Sequence, residues 1–241
     1  MSPPNRLFVA APLEAGAAVA LSPEQAHYAL GVLRLGEGDS LLAFNGRDGE
    51  WRCTLKPQGR RAASLICADQ TRPQTRTPDI TLAFAPIKGD RVDAIAEKAT
   101  ELGAAVLQPV ITDRTIVRKV RADRLAARCV EAAEQTGRLC VPAVREAATL
   151  EVWLAGRDGA RLLVFADEAG GAAPMAQALA GRTGPADLLI GPEGGFTPGE
   201  RRRICDNPGA LAVSLGPRIL RADTAAFAGL ALLQAGLGDW R

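Results

Sequence analysis

The stretch LLIGPEGGFTPGE, residues 188–200, joins an aliphatic strand to a helix through a glycine-rich loop. Thr197, Pro198 and Glu200 have the order of a helix start, with an N-cap, a proline at the first helical position and the acid that closes a capping box. The glycines allow a ligand to approach the backbone closely. The loop also holds the carboxylate of Glu193 but no lysine. The stretch therefore predicts a strand-loop-helix unit of an α/β fold that is suited to a ligand.

The residue types of this loop narrow the choice of ligand. A phosphate loop requires GxxxxGK followed by Ser or Thr, and a dinucleotide fingerprint requires GxGxxG with an acid about twenty residues later. Neither pattern is present, and Glu193 would repel a polyphosphate. A carboxylate in a glycine loop suits ribose hydroxyls or a cationic ligand, and S-adenosylmethionine has both. A tight turn without any ligand is the alternative.

A second loop with related features lies in LGPRILRADTAAFAG, residues 215–229. It follows another aliphatic strand and enters a helix near Asp223. Two such loops at the carboxyl ends of strands form the kind of crevice in which ligands bind to open α/β sheets. Arg218 and Arg221 in this loop either form structural ion pairs with Glu193 or Asp223, or are directed at a reacting substrate.

The segments around these loops predict two domains. From residue 80 onward, aliphatic strands such as ITLAFA, VLQPVI and LLVFA alternate with helices, which is typical of a mainly parallel sheet. Residues 6–70 instead show short strands and turns, with a hairpin in DSLLAFNGRDGEWRCTL and one helix that begins after Ser22. The polar segment 70–79 separates the two patterns. We therefore predict a small β-barrel-like domain over 1–72 and an α/β domain over 73–241, whose apolar last helix is buried in the core or in a subunit interface.

Composition excludes several classes of protein. The chain has 241 residues and a formal net charge of +2. It has no apolar run of membrane-spanning length and no signal-peptide pattern, so the expected location is the cytoplasm. The single histidine, His27, argues against a catalytic triad and a multi-histidine metal site, and the five dispersed cysteines argue against a disulfide framework or zinc knuckle. We expect no metal.

Basic residues are concentrated in DRTIVRKVRADRLAAR, residues 113–128. They form either a solvated helix face or a phosphate-binding surface. His27 similarly is either a partly exposed structural histidine or a contact to nucleic acid.

Together, LLIGPEGG and LGPRILRADTA resemble the signature of the SPOUT methyltransferases, specifically the RsmE family, which methylates N3 of a uridine in 16S ribosomal RNA. KATELGAAVLQPVITDRTIV at 98–117 and EAAEQTGRLCVPAV at 131–144 are similar to further motifs of that family. RLFV at 6–9 and HYALGVLRLGEGD at 27–39 resemble its N-terminal PUA-like RNA-binding domain.

The resemblance implies a SPOUT domain with a mainly parallel sheet and a C-terminal trefoil knot, preceded by a PUA-like β-barrel domain. It implies S-adenosylmethionine as cofactor, 16S ribosomal RNA as substrate, free or within the small ribosomal subunit, and a homodimer with active sites near the subunit interface. No membrane partner is implied. The family usually has glutamate where this chain has Asp223, which puts a direct catalytic role for that position in doubt.

The candidate site residues fall into three groups. The cofactor-binding group supplies glycine backbone, one carboxylate and apolar walls: Leu189, Gly191, Glu193, Gly194, Gly195, Leu215, Gly216, Ile219 and Leu220. The catalytic group consists of Arg221 first and Arg218 second, which would stabilise the imide anion of the uridine, and Asp223, which competes with water as the proton acceptor. The RNA-binding group contains Arg6, His27, Arg34, Lys88, Arg114 and Arg118.

Three other functions remain open at this stage. The nearest is a SPOUT enzyme acting on another RNA such as transfer RNA. A catalytically silent RNA-binding protein comes next, and an unrelated nucleotide-binding α/β enzyme is last because both phosphate fingerprints are missing.

Overall fold

The computed structural model describes residues 5–59 and 61–240, so residues 1–4, 60 and 241 of the two predicted domains lie outside the described residues. The chain forms two compact units. The first extends to Arg76 and includes Ala133–Val141, and the second comprises Thr77–Ala132 and Pro142–Arg241. The domain boundary predicted after residue 72 places the segment Ala133–Val141 in the second domain, whereas in the structure this segment belongs to the first unit.

The first unit is built on a five-stranded sheet with the order β1-β3-β4-β5-β2. Its strands are β1 (Arg6–Phe8), β2 (Ala18–Ala20), β3 (Ser40–Phe44), β4 (Glu50–Pro57) and β5 (Ala63–Arg72). Among the described residues of this unit, β1 and β3 pair in parallel, and the other strand pairs are antiparallel. The predicted β3–β4 hairpin is confirmed, and Gly46 and Gly49 take left-handed φ angles of 80° and 78° in its turn.

One helix interrupts the strands of this unit, as predicted. Helix α1 (Pro23–His27) begins at Ser22, whose side chain and that of Gln25 form a complete capping box. It continues as a π-helical turn over Tyr28–Val32. A core of aliphatic side chains from the strands and this helix fills the unit.

Arg6 has a structural position, which corrects its assignment to RNA binding. Its side chain is only 7% exposed and its Nε donates to Glu50 at 2.7 Å. Nη1 donates to the carbonyl oxygen of Ala133 at 2.6 Å, and Nη2 to that of Arg138 at 2.8 Å. A guanidinium that is buried and bonded in this way is not available to a phosphate, and it fastens the segment Ala133–Val141 to the first strand.

The second unit is built on a parallel sheet with the order β12-β10-β11-β6-β7-β8, and β9 also pairs with β7. Its strands are β6 (Ile80–Phe84), β7 (Val106–Ile111), β8 (Ala143–Val144), β9 (Ala148–Thr149), β10 (Leu162–Ala166), β11 (Ala186–Ile190) and β12 (Ala210–Val213). Its helices are α2 (Arg91–Glu101), α3 (Ala122–Thr136, with its last residues in the first unit), α4 (Leu150–Ala155), α5 (Met175–Ala178), α6 (Pro198–Cys205) and α7 (Ala222–Gly236). The predicted parallel sheet is confirmed, so the carboxyl ends of its strands meet at one edge.

One face of the last helix is buried within its own unit, where it packs on α2, β6 and β11. A Cβ atom at Gly229 would lie 2.8 Å from the side chain of Leu188, so the helix approaches the sheet closely. The buried Gln234 donates to the carbonyl oxygen of Leu102 at 2.8 Å. Core packing thus accounts for one face of α7, whereas Phe227, Ala228, Ala231 and Leu232 are only half-buried. The homodimer and the trefoil knot both stay predictions.

No helix among residues 5–59 and 61–240 is both long and apolar enough to cross a membrane.

Candidate active site

A cavity of about 440 Å³ lies at the carboxyl ends of three neighbouring strands, β12, β10 and β11. Three loops enclose it, over residues 167–174, 191–197 and 214–221. Ligand pockets in proteins are roughly 300–1,000 Å³, so the cavity has room for a nucleoside-sized ligand.

The loop after β11 is held by the capping box that the sequence predicts. The Thr197 hydroxyl accepts from the backbone N–H of Glu200 at 3.3 Å, and the Glu200 carboxylate accepts from the Thr197 N–H at 2.8 Å. Glu200 is buried and also accepts from the N–H of Asp113 at 2.8 Å. Gly195 has a φ of +66° and donates to the carbonyl oxygen of Pro192 at 2.9 Å. These bonds fix the backbone that faces the cavity.

The loop after β12 contributes apolar side chains and two arginines. Leu215, Leu220 and the 91%-exposed Ile219 line the cavity together with Arg218. Arg221 is the exposed N-cap residue of α7 and lies between two cavity-lining residues without lining the cavity itself. Neither arginine has a hydrogen-bonding or ion-pair partner within the described part of the chain, so both are free to contact a substrate.

The loop after β10 was missed by the sequence reasoning. Asp167 is held by two guanidinium nitrogens of Arg201, at 3.0 and 2.6 Å, and these hydrogen bonds lower the pKa of Asp167. Glu168 lines the cavity and has no partner among the described residues. Its carboxylate lies where a Cβ atom on Gly195 would be. The sequence did contain a pattern that could have identified this loop, because in LLVFADEAGG, residues 162–171, an aliphatic strand is followed by two acidic residues and two glycines.

Arg91 connects two of the predicted site residues and was also missed. Its Nε and Nη2 donate to the two carboxylate oxygens of Asp223 at 2.8 and 2.7 Å, and its Nη1 donates to Glu193 at 2.7 Å. The hydrogen bonds from Arg91 lower the pKa of Asp223. Arg91, not Arg218 or Arg221, therefore makes the structural ion pairs that the sequence left open.

The predicted cofactor-binding residues are brought together with two exceptions. Seven of the nine line the cavity: Gly191, Glu193, Gly195, Leu215, Gly216, Ile219 and Leu220. Leu189 instead lies fully buried in the core of the second unit, because it faces into the sheet packing. Gly194 lies beside Arg114, whose Nη1 donates to its carbonyl oxygen at 2.6 Å.

The predicted RNA-binding residues divide between the two units. His27 and Arg34 are exposed on the first unit, and Arg34 has a left-handed φ of 56°. Lys88 and Arg114 line a small depression at the ends of β6, β7 and β11 in the second unit. Arg118 is exposed in the loop that follows β7.

The basic stretch 113–128 separates into two kinds of residue. In and next to α3, Arg121 pairs with Asp123 and Arg128 pairs with Glu131, both at 2.7 Å. Arg114 in the preceding loop bonds only a carbonyl oxygen, which leaves its charge uncompensated. The helical part thus fits a solvated, paired face, and the loop part fits a phosphate-binding surface.

We predict that Arg91→Ala frees Glu193 in the loop after β11 and Asp223 at the start of α7. Cofactor binding should weaken by roughly tenfold, a loss of free energy about equal to that of one charge-assisted hydrogen bond. Because Asp223 has a lowered pKa in the folded protein, its pairing stabilises the protein fully above the ordinary value of 3.8 and is lost as the pH falls through the lowered pKa. The difference in melting temperature between wild type and Arg91→Ala should therefore be constant near neutral pH and shrink on acidification.

Calorimetry and thermal unfolding at several pH values measure both effects. Arg91→Lys should restore only part of the affinity, because an ammonium cannot bind both carboxylate oxygens of Asp223 in parallel. Arg121→Ala, which removes an exposed arginine of the same unit, is the matched control. Equal cofactor affinity in Arg91→Ala and Arg121→Ala would contradict the prediction.

Comparisons with known proteins agree with this geometry. A family profile described as RNA methyltransferase domain matches residues 74–234, and one described as RNA methyltransferase PUA domain matches residues 21–66. The ribosomal RNA small subunit methyltransferase E of Rickettsia conorii is 32% identical over 230 residues, which cover 94% of this chain and 93% of that protein.

Two solved structures are similar along nearly the whole chain. A ribosomal RNA small subunit methyltransferase E from Neisseria gonorrhoeae, bound to S-adenosyl methionine, has a TM-score of 0.90 at 28% identity and covers 99% of this chain and 100% of its own. A putative methyltransferase from Legionella pneumophila, in complex with the same cofactor, has a TM-score of 0.86 at 29% identity and covers 98% of both chains.

Proposed function

Because the chain belongs to the RNA methyltransferase family, we propose that it transfers the methyl group of S-adenosylmethionine to N3 of a uridine in 16S ribosomal RNA. Its second unit has the α/β architecture of the SPOUT methyltransferases and is preceded by a PUA-like β-domain, as the sequence predicted. The observation that carries the proposal is the cavity at the ends of β10, β11 and β12, since it combines glycine backbone, apolar walls and an unpaired carboxylate.

The cavity suits S-adenosylmethionine by the chemistry of its lining. Gly191 and Gly195 offer backbone to close approach, and Leu215 and Leu220 offer apolar surface to an adenine. Glu193 is already engaged by Arg91, so we assign the free carboxylate of Glu168 to the ribose hydroxyls or the cationic end of the cofactor. When bound, the cofactor supplies an electrophilic methyl group on a sulfonium, and no metal is needed to activate it.

The chain's own contribution to the reaction is positioning and electrostatics. N3 lies on the pairing edge of uridine, so the base must be unpaired before it reaches the cavity. The exposed Ile219 and the half-buried Leu220 are placed to shield the reacting atoms from water once the RNA is bound. Arg221, with Arg218 as the second choice, stabilises the imide anion that forms when N3 loses its proton.

Asp223 is better suited to positioning than to accepting that proton. Both of its oxygens accept hydrogen bonds from Arg91, and its pKa is lowered. A carboxylate with a lowered pKa is a weak base at neutral pH. We therefore assign the proton to water and assign Asp223 to holding the start of α7 against Arg91.

The test is methylation of 16S RNA, free and in the small ribosomal subunit, followed by reverse transcription. A methyl group on N3 blocks base pairing, so the product gives a stop at the modified uridine. We expect the stop only with cofactor present, and we expect calorimetric binding of the cofactor by the protein alone to persist in a chelator. Methylation of total transfer RNA instead would point to another SPOUT activity, and failure to bind the cofactor would point to a silent RNA-binding protein.

We predict that RNA binding depends on salt through the loop arginines. Arg114→Ala combined with Arg118→Ala should reduce the slope of log affinity against log salt by about 1 to 2, because fewer counterions are released. Arg121→Ala combined with Arg128→Ala changes the net charge equally but removes arginines that are already paired. An equal slope in the two double variants would return the loop to a solvated surface.

A further inference from the structure

A second depression, of about 30 Å³, lies beside the cofactor cavity and shares Pro192 and Glu193 with it. It lies at the carboxyl ends of β6, β7 and β11. Its other described lining residues are Pro86, Ile87, Lys88, Arg114, Ile116, Val117 and Gly194. We name it the flank pocket. A group bound in the flank pocket would therefore lie next to a substrate that reacts in the cofactor cavity, the cavity at the carboxyl ends of β10, β11 and β12.

The flank pocket offers apolar surface to a planar ligand. Ile116 is 66% exposed, which is high for a large aliphatic side chain, and it lies in the loop that follows β7. Ile87 and Val117 extend the apolar lining. A single exposed aliphatic residue is common on protein surfaces, but here the apolar side chains share one depression with two cations.

Those cations make the rim of the flank pocket positive. Lys88 is exposed and has no partner among the described residues. The hydrogen bond from Arg114 to the carbonyl oxygen of Gly194 holds its guanidinium at the rim without neutralising it. Glu193, the only acid among the described lining residues, is paired with Arg91, which also holds Asp223, so Lys88 and Arg114 together with Arg91 outnumber these two acids by one charge. The rim therefore suits an anion such as a phosphodiester.

We propose that a nucleotide adjacent to the target uridine lies over the flank pocket, which is too small to enclose a base, with its base on the exposed Ile116 and its phosphate between Lys88 and Arg114. This inference rests on the proposed function, because it requires a uridine in the neighbouring cavity. An apolar surface with a cationic rim matches the two parts of a nucleotide, since bases contact apolar side chains and phosphates pair with cations. The pocket thereby contributes to the choice of RNA sequence or shape around the target.

The experiment couples a change in the protein to a change in the RNA. The RNA form that supports methylation is prepared with an abasic site on the 5′ or the 3′ side of the target uridine, and kcat/KM is measured. For wild type we expect one of the two abasic RNAs to react about tenfold more slowly, as for loss of one base contact. Ile116→Ala should show the same loss with intact RNA and little further loss with that abasic RNA.

Two more variants separate base from phosphate and test specificity. Lys88→Gln should lower kcat/KM with intact and abasic RNA alike, because it removes a phosphate contact that does not depend on the base. Val152→Ala is the control for Ile116→Ala, since Val152 is similarly exposed, at 64%, on α4 and lines neither pocket.

The outcomes distinguish this proposal from the proposed function. If wild type methylates intact RNA but the abasic penalty is equal in wild type and Ile116→Ala, the flank pocket is not a nucleotide site and the proposed function stands. If Ile116→Ala lowers activity equally on every RNA and also shifts sedimentation toward a smaller species, the surface is a contact with a second copy of the chain. Absence of any methyl transfer by wild type would reject both proposals.

Discussion

Arg221→Ala is expected to lower the turnover number by about 10²–10³-fold while leaving cofactor affinity nearly unchanged, because removal of one preorganised donor to a developing oxyanion has effects of that size. In the proposed reaction, the group that Arg221 stabilises is the imide anion of the uridine, which exists only as the reaction proceeds. Loss of an interaction that is made only in the transition state lowers turnover without weakening the binding of the ground state.

The structure removes the main competing role for Arg221. An arginine in this loop could have paired with Glu193 or Asp223 to hold the site together, and its removal would then reduce binding, stability and activity in parallel. Arg91 forms both of those pairs. Arg221 is exposed and has no partner among residues 5–59 and 61–240.

Three measurements on each variant test this assignment: turnover from the reverse-transcription stop, cofactor affinity from calorimetry, and melting temperature. Arg221→Lys should recover part of the turnover, because it keeps the charge but cannot present a planar fork to carbonyl oxygens. Arg218→Ala is the matched comparison in the same loop. Near-normal turnover in Arg221→Ala with a large loss in Arg218→Ala would transfer the role to Arg218.

Gly195→Val is expected to weaken cofactor binding by about 100-fold or more, through backbone strain and overpacking combined. The left-handed φ of +66° at this position is unfavourable for a β-branched residue. A side chain here would also collide with the carboxylate of Glu168 and occupy the cavity.

Calorimetric titration with S-adenosylmethionine measures this loss, and thermal unfolding shows whether the protein remains folded. Gly199→Val is the control, because Gly199 is the second residue of α6, its φ lies outside the left-handed region, and a Cβ atom there would meet no neighbouring heavy atom within 4 Å. If Gly195→Val bound the cofactor as tightly as Gly199→Val, the cofactor would not lie against this loop.

The sequence predicted the features that depend on contacts close along the chain. The capping box of Thr197 and Glu200 joins residues three apart, and the hairpin of β3 and β4 is set by a short turn with two left-handed glycines. The alternation of aliphatic strands with helices was enough to predict the parallel sheet, because such strands are buried on both faces. Two of the three loops around the cavity followed from the same pattern.

The partners of charged residues were decided by the tertiary structure. Arg91 lies 102 residues from Glu193 and 132 from Asp223 in sequence, and Arg6 lies 127 residues from Ala133. Nothing local distinguishes Arg6, which is buried and fully bonded, from Arg118, which is exposed. Likewise, only the strand order β12-β10-β11 brings Glu168 beside Gly195.

Local patterns record whether a residue suits a strand, a helix or a turn, because those states are selected by backbone sterics and by burial that repeats every two or 3.6 residues. The sequence by itself therefore determined the element types, the parallel sheet and the glycine loops of this protein. The spacing of charged residues along the sequence carries no such information, because a charged side chain can be solvated or can pair with a residue that is distant in sequence. Only the packing of strands and loops decided which arginines are buried in ion pairs and which remain available to RNA.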